Sequence, residues 1–246
     1  MDAASAHCVR SIRAKLRSYI LQIPWCINMT DQEIEIVTFA DELFEQNSRL
    51  IISQDDHLCW VIDPGFTPAT DGLLKYITTN KLSPEAVILT HAHADHIAGL
   101  SQVLNVHEML PVYLAMAEWS FLDDPSQNLS AMTGMELRVR APELRDLAPD
   151  QVLRLGETQW HVLDTSGHSP GGRTLYCPQA QTAIVGDALF AGSIGRVDFP
   201  HSDGPRLLSN IREKLFTLPD STRVCPGHGP DTTIEIERTT NPFFTP

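Results

Sequence analysis

Six consecutive residues constrain this chain more than any other part of it: His91-Ala92-His93-Ala94-Asp95-His96. The apolar run Ala86-Val87-Ile88-Leu89 before them reads as a buried strand, bounded upstream by Pro84. After them, Ile97, Leu100 and Leu104 recur at helical spacing, so the motif occupies the turn between a core strand and a helix. If the backbone is still extended at 91–93, residues two apart face the same side, and His91 and His93 converge on one point. Asp95 and His96 come after the turn and aim towards a second point nearby. Four ligand-type side chains in six residues make a poor core. Surface histidines capping a helix would account for Asp95 as an acidic first-turn residue, but not for three histidines beside it. Imidazole and carboxylate together suit zinc, iron or manganese without selecting among them.

Three later segments have the same character. Thr165-Ser166-Gly167-His168-Ser169-Pro170-Gly171-Gly172 sets a histidine in a glycine-rich turn directly after a strand. Gly186-Asp187 follows the apolar Ala183-Ile184-Val185, and Cys225-Pro226-Gly227-His228-Gly229-Pro230 again delivers a histidine beyond a short strand. A lone histidine in such a turn is more often a backbone-bonded structural residue than a ligand. Four strand-end segments carrying five of the ten histidines and two aspartates reverse those odds. His7, His57, His107, His161 and His201 lack this setting.

The remaining pattern is that of a layered α/β domain from residue 35 to 246, preceded by an extension, residues 1–34. Strands are expected at 34–39, 50–53, 58–62, 111–114, 152–164 and 175–185, the last broken near Pro178; helices are expected at 69–79 and 203–216. Asp63-Pro64-Gly65 closes the third strand, with the glycine suited to a tight turn. Residues 120–150 carry Pro125, Gly134, Pro142 and Pro149 without a sustained period, and read as a long lid-like loop. In the extension, Val9, Ile12, Leu16, Tyr19, Ile20 and Ile23 share one helical face flanked by Arg10, Arg13 and Arg17. Such a segment fits a dispensable upstream piece, a docked helix or an organelle transit peptide.

Composition narrows the function. With 42% hydrophobic residues over 246 positions the chain can bury a large core, and no apolar run approaches the roughly 18 residues of a membrane span. A formal charge of −13 argues against nonspecific nucleic-acid binding. Five cysteines without a CxxC pair fit a reducing, cytoplasmic compartment, organelle targeting by the basic N-terminal segment being left open.

The HxHxDH motif, together with the later GHSPGG, GDALF and PGHG segments, resembles the metallo-β-lactamase superfamily, and within it the glyoxalase II-type hydrolases. The likeness also takes in Asn128-Leu129-Ser130, the run Gly192 to Pro200, Glu237-Arg238 and Asn241-Pro242-Phe243. It implies a four-layer αββα sandwich with a dinuclear site at the sheet edge. It further implies that His91, His93 and His168 hold one metal, that Asp95, His96 and His228 hold the other, and that Asp187 bridges them. Asp63 matches a superfamily aspartate near the site; it either supports a ligand histidine or caps its own turn. The cofactors implied are two divalent cations, zinc first, with iron or manganese as alternatives. Cations about 3.5–4 Å apart share a bridging water and lower its pKa, giving a hydroxide nucleophile at neutral pH. Asp95 and Asp187 are the candidate proton relays. The implied substrate is a small-molecule thioester such as S-lactoylglutathione, whose thiolate leaves with little acid help.

Departures from that pattern matter. The longer glyoxalase II enzymes add a C-terminal helical domain for glutathione; this chain is expected to be of the shorter, single-domain type. Arg196 stands where those enzymes have a basic glutathione contact, but Asp198 replaces a tyrosine, so Arg196 either binds a substrate carboxylate or pairs with Asp198. Rival readings are a mononuclear-iron persulfide dioxygenase, a lactonase, and a metal-stabilised binding or sensor protein. A β-lactamase and a nuclease fit less well.

Overall fold

The computed structural model describes residues 34–245. The amphipathic reading of residues 9–23 lies outside the described residues. Two six-stranded mixed sheets face each other. The first runs β1 (Ile34–Ala40), β2 (Asn47–Ser53), β3 (Leu58–Ile62), β4 (Ser83–Ile88), β5 (Val112–Leu114) and β6 (Leu144–Asp146), in that spatial order. The second contains β7 (Val152–Leu155), β8 (Thr158–Asp164), β9 (Arg173–Cys177), β10 (Thr182–Gly186), β13 (Arg223–Pro226) and β14 (Thr232–Thr233), ordered β14-β13-β10-β9-β8-β7. A hairpin of β11 (Leu189–Phe190) and β12 (Ser193–Ile194) follows β10.

Strand alternation explains the layering. Side chains two apart share a face, and here every odd–even switch sends a residue to a different core. Leu50, Ile52, Cys59, Val61, Val87 and Leu89 pack outward against Leu73 and Ile77 of helix α1 (Ala69–Thr79) and against Ile97, Leu100 and Val103. Their neighbours Ile51, Trp60, Ile62, Ala86 and Ile88 face inward and meet Leu155, Trp160, Val162, Leu175 and Ile184 of the second sheet. On its far side Ala183, Val185 and Val224 pack on Leu207, Ile211, Leu215 and Ile234. Three cores between four layers make an αββα sandwich. At the centre, Trp60 and Trp160 lie 6.1 Å apart between ring centroids, and the Trp160 indole N–H donates to Thr158 Oγ1 at 3.1 Å. With its one polar atom satisfied, truncating Trp160 to alanine would cost roughly 3–5 kcal/mol through transfer and cavity terms.

The outer helices follow from their sequences. Helix α2 (Ala94–Ile97) and helix α3 (Leu100–Val106) are separate, not the single helix that the spacing of Ile97, Leu100 and Leu104 suggests. The break is a packing effect: a Cβ on Gly99 would lie 2.1 Å from Thr70 Oγ1 and 2.5 Å from Gly65 O, and Gly99 N donates to Pro64 O at 2.8 Å. In the turn after β3 the left-handed residue is Asp63 (φ 45), not Gly65, whose value is close approach to Gln46. Asp203 caps helix α4 (Gly204–Asn210) by accepting from Arg206 N at 3.0 Å; the segment continues as a π-turn, Ile211–Leu215, rather than as α-helix to 216. Helix α5 (Ile234–Thr240) carries the buried Glu237, which accepts from Thr232, Gly192 N and Asn241 and so fastens the hairpin.

Residues 120–150, expected as a long lid-like loop, are largely irregular, and Asn128, Leu129, Met132, Thr133 and Met135 of this segment line a cavity. The segment begins within a 3₁₀ helix at Met116–Asp123 and holds a 3₁₀ turn at Ser130–Thr133 and strand β6. Phe121, Leu122, Val139 and Leu147 are buried in the cores. Its few apolar anchors are spaced irregularly because 3₁₀ turns, not a regular strand or α-helix, bring them inward.

Candidate metal centre

Strand direction puts every candidate segment at one edge. Strands β3 and β4 are parallel, and β8, β10 and β13 share a direction through the antiparallel β9. The turns carrying Asp63, His91–His96, His168, Asp187 and His228 therefore emerge on the same side. There the sheets are stitched together by buried polar groups from β2. Asn47 N donates to Gly227 O at 2.7 Å, and Asn47 Nδ2 donates to Pro226 O and Gly229 O. The buried Arg49 donates to Pro226 O and pairs with Asp231 at 2.9 Å.

Among the described residues, three groups of side chains could each hold a metal ion: His91, His93 and His168; His91, His96 and Asp187; and Asp95, His96 and His228. All seven residues that the sequence singles out are thus brought together. His168 Nε2 and His93 Nδ1 lie 2.9 Å apart, and His228 Nε2 lies 3.3 Å from His96 Nε2 and 3.1 Å from Asp95 Oδ2. Asp187 sits between the outer two groups, with Oδ1 3.4 Å from His96 Nε2 and Oδ2 3.5 Å from His168 Nε2 and 3.4 Å from His228 Nε2.

What the other ring nitrogens do decides which lone pairs are bare. Asp63, buried at 2% exposure, accepts from Thr90 N at 2.7 Å and from the Thr90 hydroxyl at 2.6 Å. With its proton spent there, Thr90 Oγ1 accepts from His91 Nδ1 at 3.1 Å, while His96 Nδ1 donates to Asp63 Oδ2 at 3.0 Å. His168 Nδ1 donates to Arg196 O at 2.8 Å and His228 Nδ1 donates to Phe44 O at 2.7 Å. Four imidazoles are thereby fixed in the tautomer whose Nε2 lone pair faces the centre, the arrangement that metal-ligating histidines require. His91 Nε2 and Asp187 Oδ1 are buried with no hydrogen-bond partner. Orphaned atoms of this kind cost about 1–3 kcal/mol each, and a cation would satisfy both. The residues present fit a metal.

Electrostatics divide the cluster. Burial, then His96 and His93, hold His91 neutral, well below the usual imidazole range; burial, then His168, pushes His93 down to about 3. Burial opposes charge on His96 and His228 as well, but Asp187 and Asp95 outweigh it, raising His96 well above its usual range and His228 to about 10. Burial would raise Asp187, yet His96 and His228 hold it well below the ordinary carboxylate range. The aspartates thus make the centre a place that favours positive charge, which a bound cation would supply.

Two supports had no role assigned from the sequence, although Asn128-Leu129-Ser130 belongs to the resemblance. Glu118, fully buried in the 3₁₀ helix, accepts from Ala92 N and Gly171 N at 2.6 Å each, clamping the His91–His96 turn to the His168 turn. Burial raises its carboxyl above the ordinary value, against those hydrogen bonds. Leu129 is held left-handed (φ 67), a conformation costing a non-glycine residue roughly 1–2 kcal/mol. The neighbouring Asn128 imposes it, donating to Phe121 O and Leu137 O, while Asn128 O accepts from Ala94 N at 2.8 Å. Arg196 reaches the same cavity, but its side chain is engaged in a bidentate pair with Asp198 (2.9 and 2.8 Å) and lies 4.4 Å over the Phe199 ring.

Comparison with known proteins adds a lineage. Residues 42–228 match the family model described as the metallo-beta-lactamase superfamily. A probable metallo-hydrolase of Bacillus subtilis (strain 168) is 40% identical over 201 residues, covering 81% of this chain and 92% of that protein. The hydroxyacylglutathione hydrolase GloC of Haemophilus influenzae is 31% identical over 218 residues, covering 86% and 97%. Among crystal structures, the BLEG-1 B3 metallo-beta-lactamase superposes with a TM-score of 0.79 at 33% identity, covering 86% of this chain and all of its own. TTHA1623 in a di-iron-bound form gives 0.73 at 34% identity, covering 84% and 99%.

Proposed function

This chain belongs to the metallo-beta-lactamase superfamily, and from that membership and the geometry of its centre we propose that it hydrolyses a thioester using two divalent cations. One observation carries the reading. Nitrogen lone pairs and carboxylate oxygens converge from four strand-end turns, and two of these buried atoms have no protein partner. Divalent cations bound there supply Lewis acidity, lowering the pKa of water and polarising a carbonyl oxygen. His91, His93 and His168 would hold one, Asp95, His96 and His228 the other, and Asp187 faces both groups. Zinc is the first expectation; the likeness to a di-iron-bound protein makes iron the alternative.

The remaining residues keep that centre in order. Asp63 orients His96 directly and His91 through Thr90, holding protons on both Nδ1 atoms. The carbonyls of Arg196 and Phe44 do the same for His168 and His228. Asp95, at 23% exposure, lines the cavity, where its carboxylate can accept a proton during attack on the carbonyl carbon. A thiolate leaves without a general acid, which suits a centre whose carboxylates are held ionised. The similarity to a hydroxyacylglutathione hydrolase supports the thioester, with S-lactoylglutathione as the first substrate to try. The likeness to a B3 metallo-beta-lactamase favours β-lactam hydrolysis as the second reading.

A panel of S-lactoylglutathione, a lactone, a β-lactam and a persulfide, run on chelated and metal-reloaded protein, tests this. Metal-dependent thioester hydrolysis is expected. Oxygen consumption with the persulfide and no thioester turnover would overturn it.

A further inference from the structure

The centre forms the floor of a cavity of about 470 Å3, the size of a small-molecule site. Its walls have a distinct chemistry. Phe44, Phe66, Met132, Met135 and Phe190 line them, with Phe44 and Phe66 stacked 5.5 Å apart. Met132 is 67% exposed and Met135 36%, large apolar side chains kept at the surface around an opening. Among the described residues, the polar wall side chains outside the metal-holding set are three, and each is bonded within its own chain. Asn128 Nδ2 donates to two carbonyls and its Oδ1 accepts from Ser130 N; Thr133 Oγ1 donates to Ser130 O; Arg196 gives two of its five N–H groups to Asp198, whose carboxylate offsets its charge.

Glutathione carries two carboxylates and an ammonium, and among the described residues these walls offer one cationic side chain, Arg196, already paired with Asp198. An uncharged hydrocarbon, by contrast, is bound by burial alone. Resting on the thioester reading, we infer that the substrate is an uncharged thioester with an alkyl or aryl group, recognised by apolar burial and not by its carboxylates. Met132 and Met135 suit that role, since flexible thioether side chains adapt to irregular apolar ligands.

Two matched pairs test this on the metal-loaded protein: acetyl against 4-phenylbutyryl on N-acetylcysteamine, and S-lactoyl on glutathione against S-lactoyl on benzyl mercaptan. Adding the phenyl-sized group in at least one pair should raise kcat/KM on the order of tenfold to a hundredfold. The non-hydrolysable thioether S-(4-phenylbutyl)-N-acetylcysteamine should bind more tightly than S-methylglutathione by calorimetry. Met135→Lys, at an exposed position, should weaken that thioether and tighten S-methylglutathione. Hydrolysis of all four thioesters with S-lactoylglutathione best, or no gain in either pair, overturns the inference and leaves the thioester reading standing. No turnover of any of the four overturns both.

Discussion

The floor and the walls of the cavity obey opposite rules. On the floor, each imidazole Nδ1 but that of His93 is tied to protein behind it, and the polar atoms facing inward are left bare, two of them without any partner. On the walls, the described polar side chains outside the metal-holding set are bonded within the chain, Arg196 through its pair with Asp198, and the rest of the lining outside that set is hydrocarbon. The difference separates chemistry from selection. Changes to the floor should act on kcat and on metal affinity, whereas changes to the walls should act on KM, because uniform binding and transition-state contacts are lost in different constants.

The sharpest way to break this division is Gly227→Ala. A Cβ there would lie 2.1 Å from Asp187 Oδ1 and 2.7 Å from His96 Cε1. Both side chains must move, and displacements near 1 Å can cost about 100-fold in rate. Turnover should fall by that order in a protein that still folds; unchanged kcat would mean that Asp187 and His96 need not be held so closely. Next comes Glu118→Gln, which replaces one of two backbone-accepting oxygens with a donor facing an N–H. Supports behind ligands are typically worth 10–100-fold in metal affinity or activity, so chelator competition should show a loss in that range. No loss would make the clamp merely structural. The smallest effect belongs to the wall. Arg196→Ala should change KM for S-lactoylglutathione by less than about threefold, since an exposed ion pair contributes about 0–1 kcal/mol. A tenfold rise in KM would show that Arg196 leaves Asp198 to grip the substrate.

Legibility divides along the same line. The floor could be read because its donors sit at short spacings beside strand ends: His91, His93, Asp95 and His96 in one turn, and His168, Asp187 and His228 each after an apolar run. The core strands could be read too, since 50–52, 59–62 and 86–89 are the continuous apolar runs of strands buried on both faces, whereas the four-layer order came from the resemblance. Asp63 stood between two roles until its distances to His96 and Thr90 were available. Glu118 was hidden because a single glutamate in an aperiodic segment gives no signal; its meaning lies in hydrogen bonds to Ala92 and Gly171, 26 and 53 residues away. The walls were equally hidden. Phe44, Phe66, Phe190 and the pair Met132 and Met135 come from four segments far apart in the chain, and only tertiary packing makes one surface of them. The same packing broke the expected helix at Gly99.

The number of cations at the floor is the central claim, and His228 tests it most directly, because it belongs to only one of the two proposed sites. Metal content and thioester turnover should be measured together on the wild type and on His228→Ala. Close to two metals per chain are expected in the wild type. About one is expected in the variant, retained by His91, His93 and His168, with turnover lower by orders of magnitude as one of two Lewis acids is lost. A wild type holding a single metal, or a His228→Ala variant with one metal and undiminished turnover, would contradict the account.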